Sequence, residues 1–226
     1  MIRSERIPRV ARHDAPAGTK DRILDAAEHL FAEQGVGATS LRSVIAEAGV
    51  NLAAVHYHFG SKDELLRAVF RRHMDRLNAV RIGRLNELEK TYRGQPIPVD
   101  ELVHAFIEPV IRMAENPEHG PNFMRLLGRI LAEPENVGKL APGQLQSAAQ
   151  RFADAARMSL PALPLDELLW RVLFGIGAVA HVMRVGDLMP KLSGGICKRA
   201  TADDTVRRLV EFLAAGLNAP HKEEKR

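Results

Sequence analysis

The stretch AGVNLAAVHYHFGSKDEL, residues 48–65, decides how this chain is interpreted. It contains a helix-sized segment, 52–59, set between Asn51 and Gly60. Asparagine favours the position just before a helix, and glycine favours the position just after one. We therefore predict a short, sharply bounded helix over residues 52–59.

This short helix has two unlike faces. Val55 and Phe59 point to one side, which suits packing against the preceding helices. The other side carries small residues at its start and polar rings at its end: Ala53, Ala54, Tyr57 and His58. Small residues let a backbone approach the floor of a DNA groove, and the rings are long enough to reach phosphate oxygens. The alternative is a hairpin in a helical bundle, with the rings as ordinary surface groups.

The residues before this helix predict two more helices. Apolar residues recur at helical spacing from Thr19 to about position 34, and a shorter segment begins after Ser40 and ends before Gly49. Two short helices separated by a break of a few residues are typical of a helix-turn-helix. In that motif the second helix enters the major groove of DNA.

The rest of the chain also has the helical period. Ser61 to Glu64 form a capping box that begins a long connecting helix, 62–91. Further helices are predicted at 99–114, 121–132, 143–159, 165–186 and 202–218. Because no alternating strand pattern occurs, we predict an all-α fold.

Composition narrows the classes of protein that fit. The net charge is +4 over 226 residues, which permits a polyanionic partner without requiring one. The single cysteine, Cys197, excludes an intrachain disulfide and a cysteine-based zinc site, and we expect no metal or cofactor. The N-terminus has no secretory signal, and the apolar run 168–185 is interrupted by charge, so a buried helix and a cytoplasmic protein without membrane contact are expected. Residues 1–18 form either a flexible terminus or a basic arm on DNA.

Residues 19–66 as a whole resemble the DNA-binding domain of the tetracycline-repressor (TetR) family. The resemblance runs through ILDAAEHLFAEQG, AGVN, the helix 52–59 and FGSKDELL, in order and at the expected spacing. It implies an N-terminal three-helix DNA-binding domain, 19–65, and a C-terminal helical domain for effector binding and dimerisation, 66–220, followed by a tail, 221–226. The wording NLAAV-x-YHFGSK is also similar to regulators that sense long-chain fatty acids or their CoA esters.

The resemblance assigns DNA contacts to specific positions. Two would lie at the start of the second helix, five would face the groove, and three would hold phosphates. In that order they are Ser40 and Arg42; Asn51, Leu52, Ala53, Ala54 and His56; and Tyr57, His58 and Lys62. A tyrosine is commonest in the family where this chain has His56, so that residue contacts either a base or a phosphate.

The resemblance also places an effector pocket among the helices after position 62. The candidates are Phe106, Val110, Met113, Phe123, Arg125, Leu127, Arg129 and Phe152. Plain core packing is the alternative for the apolar ones, and a solvated outer face is the alternative for the two arginines. Pro109 is expected to kink its helix and to open space beside it.

The dimer interface is expected on the last two long helices. Small residues in FGIGAVAH permit close contact, and two helices from each copy could form a four-helix bundle. The candidates are Phe174, Gly177, Ala178, His181, Leu209 and Leu213, with packing inside one chain as the alternative.

These features predict a ligand-responsive transcriptional regulator that is not an enzyme. A homodimeric repressor would bind a palindromic double-stranded DNA operator and be released by a small hydrophobic effector, such as a fatty acid or acyl-CoA. An activator and a sequence-independent DNA-binding protein are the alternatives. An enzyme is disfavoured because the chain has no glycine-rich phosphate loop, G-x-S-x-G or H-E-x-x-H motif.

Overall fold

The computed structural model describes residues 18–115, 120–140, 143 and 146–221. Within these ranges the chain is helical and has no strands, as expected. The helices, in chain order, are α1 (Thr19–Gln34), α2 (Leu41–Ala48), α3 (Leu52–Phe59), α4 (Lys62–Tyr92), α5 (Val99–Ala114), α6 (Gly120–Ala132), α7 (Pro134–Leu140), α8 (Gln146–Ser159), α9 (Leu165–Val185), α10 (Met189–Leu192) and α11 (Ala202–Asn218). The predicted basic arm and the C-terminal tail lie outside these ranges, except for Gly18 and His221.

Local signals set the bounds of α1–α4. Ser40, Asn51 and Ser61 each accept a hydrogen bond from a backbone N–H in the first turn of the helix that follows. Gly49 ends α2 in the left-handed conformation (φ 62°), which a side chain would disfavour. Together α2, the turn and α3 form the predicted helix-turn-helix, and α1 packs against both helices. Gly18 precedes α1, which begins at Thr19.

The second half of the chain is a packed bundle. Helix α5 packs against α11 and α4, α9 packs against α6, α8 and α11, and α6 packs against α1 of the DNA-binding unit. Helix α5 continues through Pro109, which is buried. Helices α4 and α6 therefore connect the helix-turn-helix to the interior of the bundle.

Two helices were not expected from the sequence. Helix α7 begins at Pro134, and proline suits the first position of a helix. The helix is too short to show a helical period in the sequence, and it contains Gly138. Helix α10 comprises only the residues MPKL. Helix α8, Gln146–Ser159, lies within the predicted helix over 143–159.

Candidate DNA-binding face and ligand cavity

The exposed side of α3 carries the residues expected to contact DNA. Val55 and Phe59 are buried, whereas Tyr57 is 86% exposed and Leu52 is 55% exposed. The remaining members of that set are exposed, apart from Ala54, which is partly buried: Asn51, Ala53, His56 and His58. One continuous surface of small, apolar and aromatic side chains therefore stands clear of the domain core.

Short contacts hold several of these side chains in place. Asn51 Oδ1 accepts a hydrogen bond from the Ala54 N–H at 2.9 Å, so its carboxamide is engaged at the start of α3. His56 Nδ1 lies 3.1 Å from the Gly60 carbonyl oxygen, to which it donates in the Nδ1-protonated tautomer. The rings of Tyr57 and His58 meet edge-on, with centroids 5.1 Å apart. The Tyr57 hydroxyl has no hydrogen-bond partner within the described residues.

The start of α2 carries two more of the residues expected to contact DNA, Ser40 and Arg42. Ser40 and Ser43 form a reciprocal capping box, in which the Ser40 hydroxyl accepts from the Ser43 N–H at 3.0 Å. Arg42 is exposed and forms no ion pair among the described residues. A cation at this helix start is available to a phosphate.

Lys62, which is expected to contact a phosphate, makes hydrogen bonds within the DNA-binding domain. Its Nζ donates to the carbonyl oxygens of Val36 at 2.9 Å and Thr39 at 3.0 Å, and lies 3.4 Å from that of Gly37. The ammonium group thus joins the start of α4 to the loop between α1 and α2. The sequence did not reveal this role, because the acceptors are backbone atoms more than twenty residues away.

A cavity of about 310 Å³ lies inside the C-terminal bundle. Helices α4, α5, α6, α8, α9 and α11 form its walls, and all lining side chains are apolar or absent except those of Arg81 and Arg171. Arg171 is satisfied within the chain, since it pairs with Glu167 and donates to three carbonyl oxygens near the end of α11. Pockets for small molecules are typically lined in this way, by apolar groups with a few polar ones.

The structure brings together half of the expected pocket residues. Phe106, Val110, Leu127 and Phe152 line the cavity, and the rings of Phe106 and Phe152 meet edge-on at 4.8 Å. The other four candidates lie outside it: Met113, Phe123, Arg125 and Arg129. Among them, Phe123 is fully buried and stacks on His73, with ring centroids 4.3 Å apart.

Arg125 and Arg129 instead connect α6 to α1, which corrects their expected role. Arg125 forms an ion pair with the Glu33 carboxylate, and Arg129 donates to the Glu33 carbonyl oxygen at 3.0 Å. Their spacing correctly indicated a shared helix face. It could not indicate that this face meets the DNA-binding domain rather than the cavity.

Arg81 is a charged cavity residue that was not among the expected pocket residues. Its Nε donates to the Phe106 carbonyl oxygen at 2.9 Å, and its guanidinium carbon lies 5.5 Å from the centre of the Phe106 ring. Burial lowers the pKa of Arg81 to about 10, so the group still carries its charge at neutral pH. Its position within the long charged helix α4 gave no sign that it faces the interior.

A buried ionic cluster also joins α1 to α4. Glu28 of α1 accepts from Arg72 and lies 2.8 Å from Nε2 of His73, and Arg72 also pairs with Asp25. Burial of Glu28 raises its pKa, but hydrogen bonds and charge from His73 and Arg72 outweigh that effect, so the pKa is lowered overall. The carboxylate is therefore ionised at neutral pH and holds the two helices together.

The apolar side of α9 is largely exposed in the single chain. Its exposed residues include Leu169, Trp170, Leu173 and Phe174. Phe212 of α11 is an exposed apolar residue as well. By length and composition the stretch Leu165–Leu192 could cross a membrane, and only 11% of its most apolar window is buried. We call the set Leu169, Trp170, Leu173, Phe174 and Phe212 the apolar face.

The expected dimer residues divide between this face and the interior. Phe174, Gly177 and His181 are exposed and Ala178 is partly buried. Leu209 is instead 5% exposed, and Leu213 packs within the chain beside Gly175, where it also lines the cavity. The helical period explains why these leucines are not exposed: Leu209 and Leu213 lie on the side of α11 that faces the bundle, whereas Phe212 lies on the solvent side.

Among the residues described, no cluster of three His, Cys, Asp or Glu side chains could hold a metal ion.

Comparison with known proteins gives consistent results along the chain. Residues 23–69 match the family described as "Bacterial regulatory proteins, tetR family", and residues 104–216 match "Tetracyclin repressor-like, C-terminal domain". The "HTH-type transcriptional repressor Rv3405c" of Mycobacterium tuberculosis is 45% identical over 222 residues, covering 90% of this chain and 97% of that protein. The "HTH-type transcriptional regulator AcrR" of Shigella flexneri is 35% identical over 89 residues, covering 38% of this chain and 39% of that protein.

Solved structures show the same fold. The fatty acid degradation regulator FadR from Bacillus halodurans has a TM-score of 0.62 at 15% identity, covering 91% of this chain and all (100%) of that one. A bacterial regulatory protein in the tetR family from Rhodococcus RHA1 has a TM-score of 0.60 at 18% identity, covering 91% of this chain and 100% of that one. At these identities the similarity concerns the fold alone.

Proposed function

This chain belongs to the TetR family of transcriptional regulators rather than to a family of enzymes, and on that premise we propose a specific mode of action. The protein is a homodimeric repressor that binds a palindromic operator through α3 and is released by a small hydrophobic effector in the α4–α11 cavity. The single observation that carries the proposal is the pairing of an exposed α3 surface with a partly open apolar cavity in the C-terminal bundle. Helix α4 contacts α3 and lines the cavity, and α6 lines the cavity and contacts α1.

The DNA contacts follow from the geometry of α3 and α2. Leu52 and Ala53 stand at the exposed start of α3, where a recognition helix meets base edges. Tyr57, His58 and Arg42 extend outward at positions suited to phosphate oxygens. Lys62 contributes indirectly, because it fixes the loop that leads to Ser40 and α2.

A second copy of the chain would cover the apolar face. Large exposed apolar residues that lie together on one helix, as Trp170 and Phe174 do with ring centroids 6.0 Å apart, mark an interaction site. A two-fold interface built from α9 would remove Trp170, Leu173 and Phe174 from water and place two α3 helices in successive major grooves. This assembly accounts for an apolar helix in a protein that acts on cytoplasmic DNA.

Effector binding can reach the DNA-binding domain along two helices. Met74, Leu77 and Arg81 of α4 line the cavity, and the same helix begins beside α3. Leu127 of α6 lines the cavity, while Arg129 of that helix contacts α1. The effector must bind the DNA-free form better, since coupling between two sites is reciprocal. Fatty acids and acyl-CoA esters are the first effector classes to consider, given the sequence resemblance.

A reporter assay tests repression directly. Genomic fragments retained by the purified protein are placed upstream of a reporter gene, and expression is measured with and without the protein. We expect lower expression with the protein. An increase would identify an activator, and no change would indicate a DNA-binding protein without a regulatory role at those sites.

A matched pair of variants assigns the effect to α3. Ala53→Asp adds a negative charge to the exposed start of α3 and should abolish repression without loss of folding. Ala79→Asp adds the same charge to an exposed position of α4 and should repress normally. Equal repression by both variants would contradict the assignment of DNA binding to α3.

A further inference from the structure

Arg81 is the unusual feature of the cavity wall. The cavity is lined by apolar groups except at two arginines, and the other one, Arg171, has a carboxylate partner. Within the described part of the chain, Arg81 forms no ion pair. Its recorded partners are the Phe106 carbonyl oxygen, the face of the Phe106 ring and, at 3.5 Å, Asn78 Oδ1.

These partners leave the guanidinium partly unsatisfied. A guanidinium has five N–H donors in a planar fork, and only Nε makes a short hydrogen bond here. The aromatic face gives modest stabilisation of a cation, but it does not replace a carboxylate. Arg81 is partly buried, and moving an arginine even partly out of water without a compensating anion is costly, so a purely structural role is a poor explanation for it.

Nearby arginines of the same bundle are paired, which makes Arg81 distinct. Arg84, one turn along α4, pairs with Glu108, and Arg151 of α8 pairs with Glu89. A donor to the Phe106 carbonyl alone would need no charge. A charged fork beside an apolar cavity is instead suited to bidentate binding of a planar oxyanion.

We propose that Arg81 is the anion receptor of this cavity and that its ligand is a small apolar carboxylic acid, bound with the carboxylate on the guanidinium and the apolar body against Phe106 and Phe152. The inference rests on the proposed function, because it identifies the chemical class of the effector for the same cavity. The charge of Arg81 persists across the physiological range, since its pKa, although lowered by burial, is about 10.

The size of the cavity limits the ligand further. A volume of about 310 Å³ is at the lower end of the range for ligand pockets. This volume is roughly that of ten water molecules in the liquid. A free acid of comparable size fits, whereas the nucleotide part of a CoA ester would have to remain outside. A CoA thioester also lacks the carboxylate that the Arg81 guanidinium would bind, so the inference concerns the free acid.

Calorimetric titration of the full-length protein tests this assignment. The probes are straight-chain carboxylates of about six to ten carbons, each compared with the primary amide of the same chain. We expect wild-type protein to bind the best acid at least about tenfold tighter than its amide, since charge-assisted bonds are the stronger class. Arg81→Met should remove this preference while leaving the affinity for the amide nearly unchanged.

Two further variants separate the role of Arg81 from general effects. Arg81→Lys keeps the charge but loses the fork, so it should retain part of the preference for the acid. Arg125→Met removes an arginine that lies outside the cavity and should bind both probes as wild type does. Thermal unfolding of each variant shows whether it folds, and the acid–amide comparison in wild type stands even if Arg81→Met does not fold.

The possible failures are distinguishable. Equal affinity of acid and amide in wild type, or a preference that survives in Arg81→Met, would overturn the inference while leaving an apolar effector in place. If neither probe binds at any chain length, both the inference and the effector part of the proposed function are overturned.

Discussion

Tyr57 offers a sharp test of the DNA-binding face, because its hydroxyl is free and its loss should cost affinity alone. The side chain is 86% exposed and packs only edge-on against His58. Tyr57→Phe removes one oxygen and keeps the ring, so the free energy of unfolding should not change measurably. Any loss of DNA affinity then reports the hydroxyl contact itself.

The expected magnitude follows from the dimer. A hydrogen bond to a charged group contributes about 1.5 kcal/mol at the lower end of the usual range. Two copies of Tyr57 per dimer give about 3 kcal/mol, or roughly a hundredfold in affinity. Because phosphates carry no sequence information, binding to specific and to scrambled DNA should weaken together.

Fluorescence anisotropy with labelled operator at about 150 mM salt measures this effect where charge contacts alone are weak. The matched control is Tyr92→Phe, which removes the hydroxyl that donates to Glu101 at 2.5 Å near the far end of α4. It should leave DNA affinity unchanged. A Tyr57→Phe affinity within about threefold of wild type, a difference well below 1 kcal/mol, would refute the assignment of a phosphate contact to this hydroxyl.

Three other substitutions test the remaining parts of the structure. Arg72→Met leaves the Glu28 carboxylate, whose side chain is 3% exposed, without its arginine partner, so the free energy of unfolding should fall by about 3 kcal/mol at pH 7. The lowered pKa of Glu28 means that its contribution is present above the ordinary value of 4.5 and is lost as pH falls through the folded value, so the difference from wild type should narrow in acid. Lys62→Met removes donors to carbonyl oxygens of the α1–α2 loop and should cost about 2 kcal/mol of stability, measured by denaturant titration. Phe174→Glu places a charge on the apolar face and should give a monomer in sedimentation experiments.

Each of these expectations has a definite contrary result. Arg151→Met breaks a more exposed ion pair and should lower the free energy of unfolding by at most about 1 kcal/mol. An equally small loss for Arg72→Met would mean that the buried cluster does not stabilise the contact between α1 and α4. Unchanged stability of Lys62→Met would mean that its carbonyl contacts contribute nothing in solution. A dimeric Phe174→Glu protein would place the interface elsewhere.

The helices of the DNA-binding domain, 19–65, could be predicted from the sequence because their signals are local. Ser40, Asn51 and Ser61 cap helices within three residues, and the glycines that follow end α2 and α3 where expected. The two faces of α3 follow from the helical period alone, as the burial of Val55 and Phe59 shows.

The ligand cavity was only half predictable, since tertiary contacts decide which way a charged residue points. Arg125 has its partner, Glu33, 92 residues earlier in the chain, and no local pattern marks that pairing. Arg81 lies in a helix rich in exposed charges, so its position at the cavity wall could not be distinguished. The resemblance assigns Lys62 to a phosphate, which stays a prediction, and the carbonyl contacts of its Nζ in the α1–α2 loop could not be read from the sequence.

Selection of the purified full-length protein on a random pool of DNA duplexes tests the central claim most directly. A homodimeric regulator should enrich a two-fold-symmetric sequence whose half-sites lie about one helical turn apart. It should bind that sequence at least about a thousandfold tighter than scrambled DNA at physiological salt. Failure to enrich any sequence, or enrichment of a single half-site without symmetry, would contradict sequence-specific repression by a dimer.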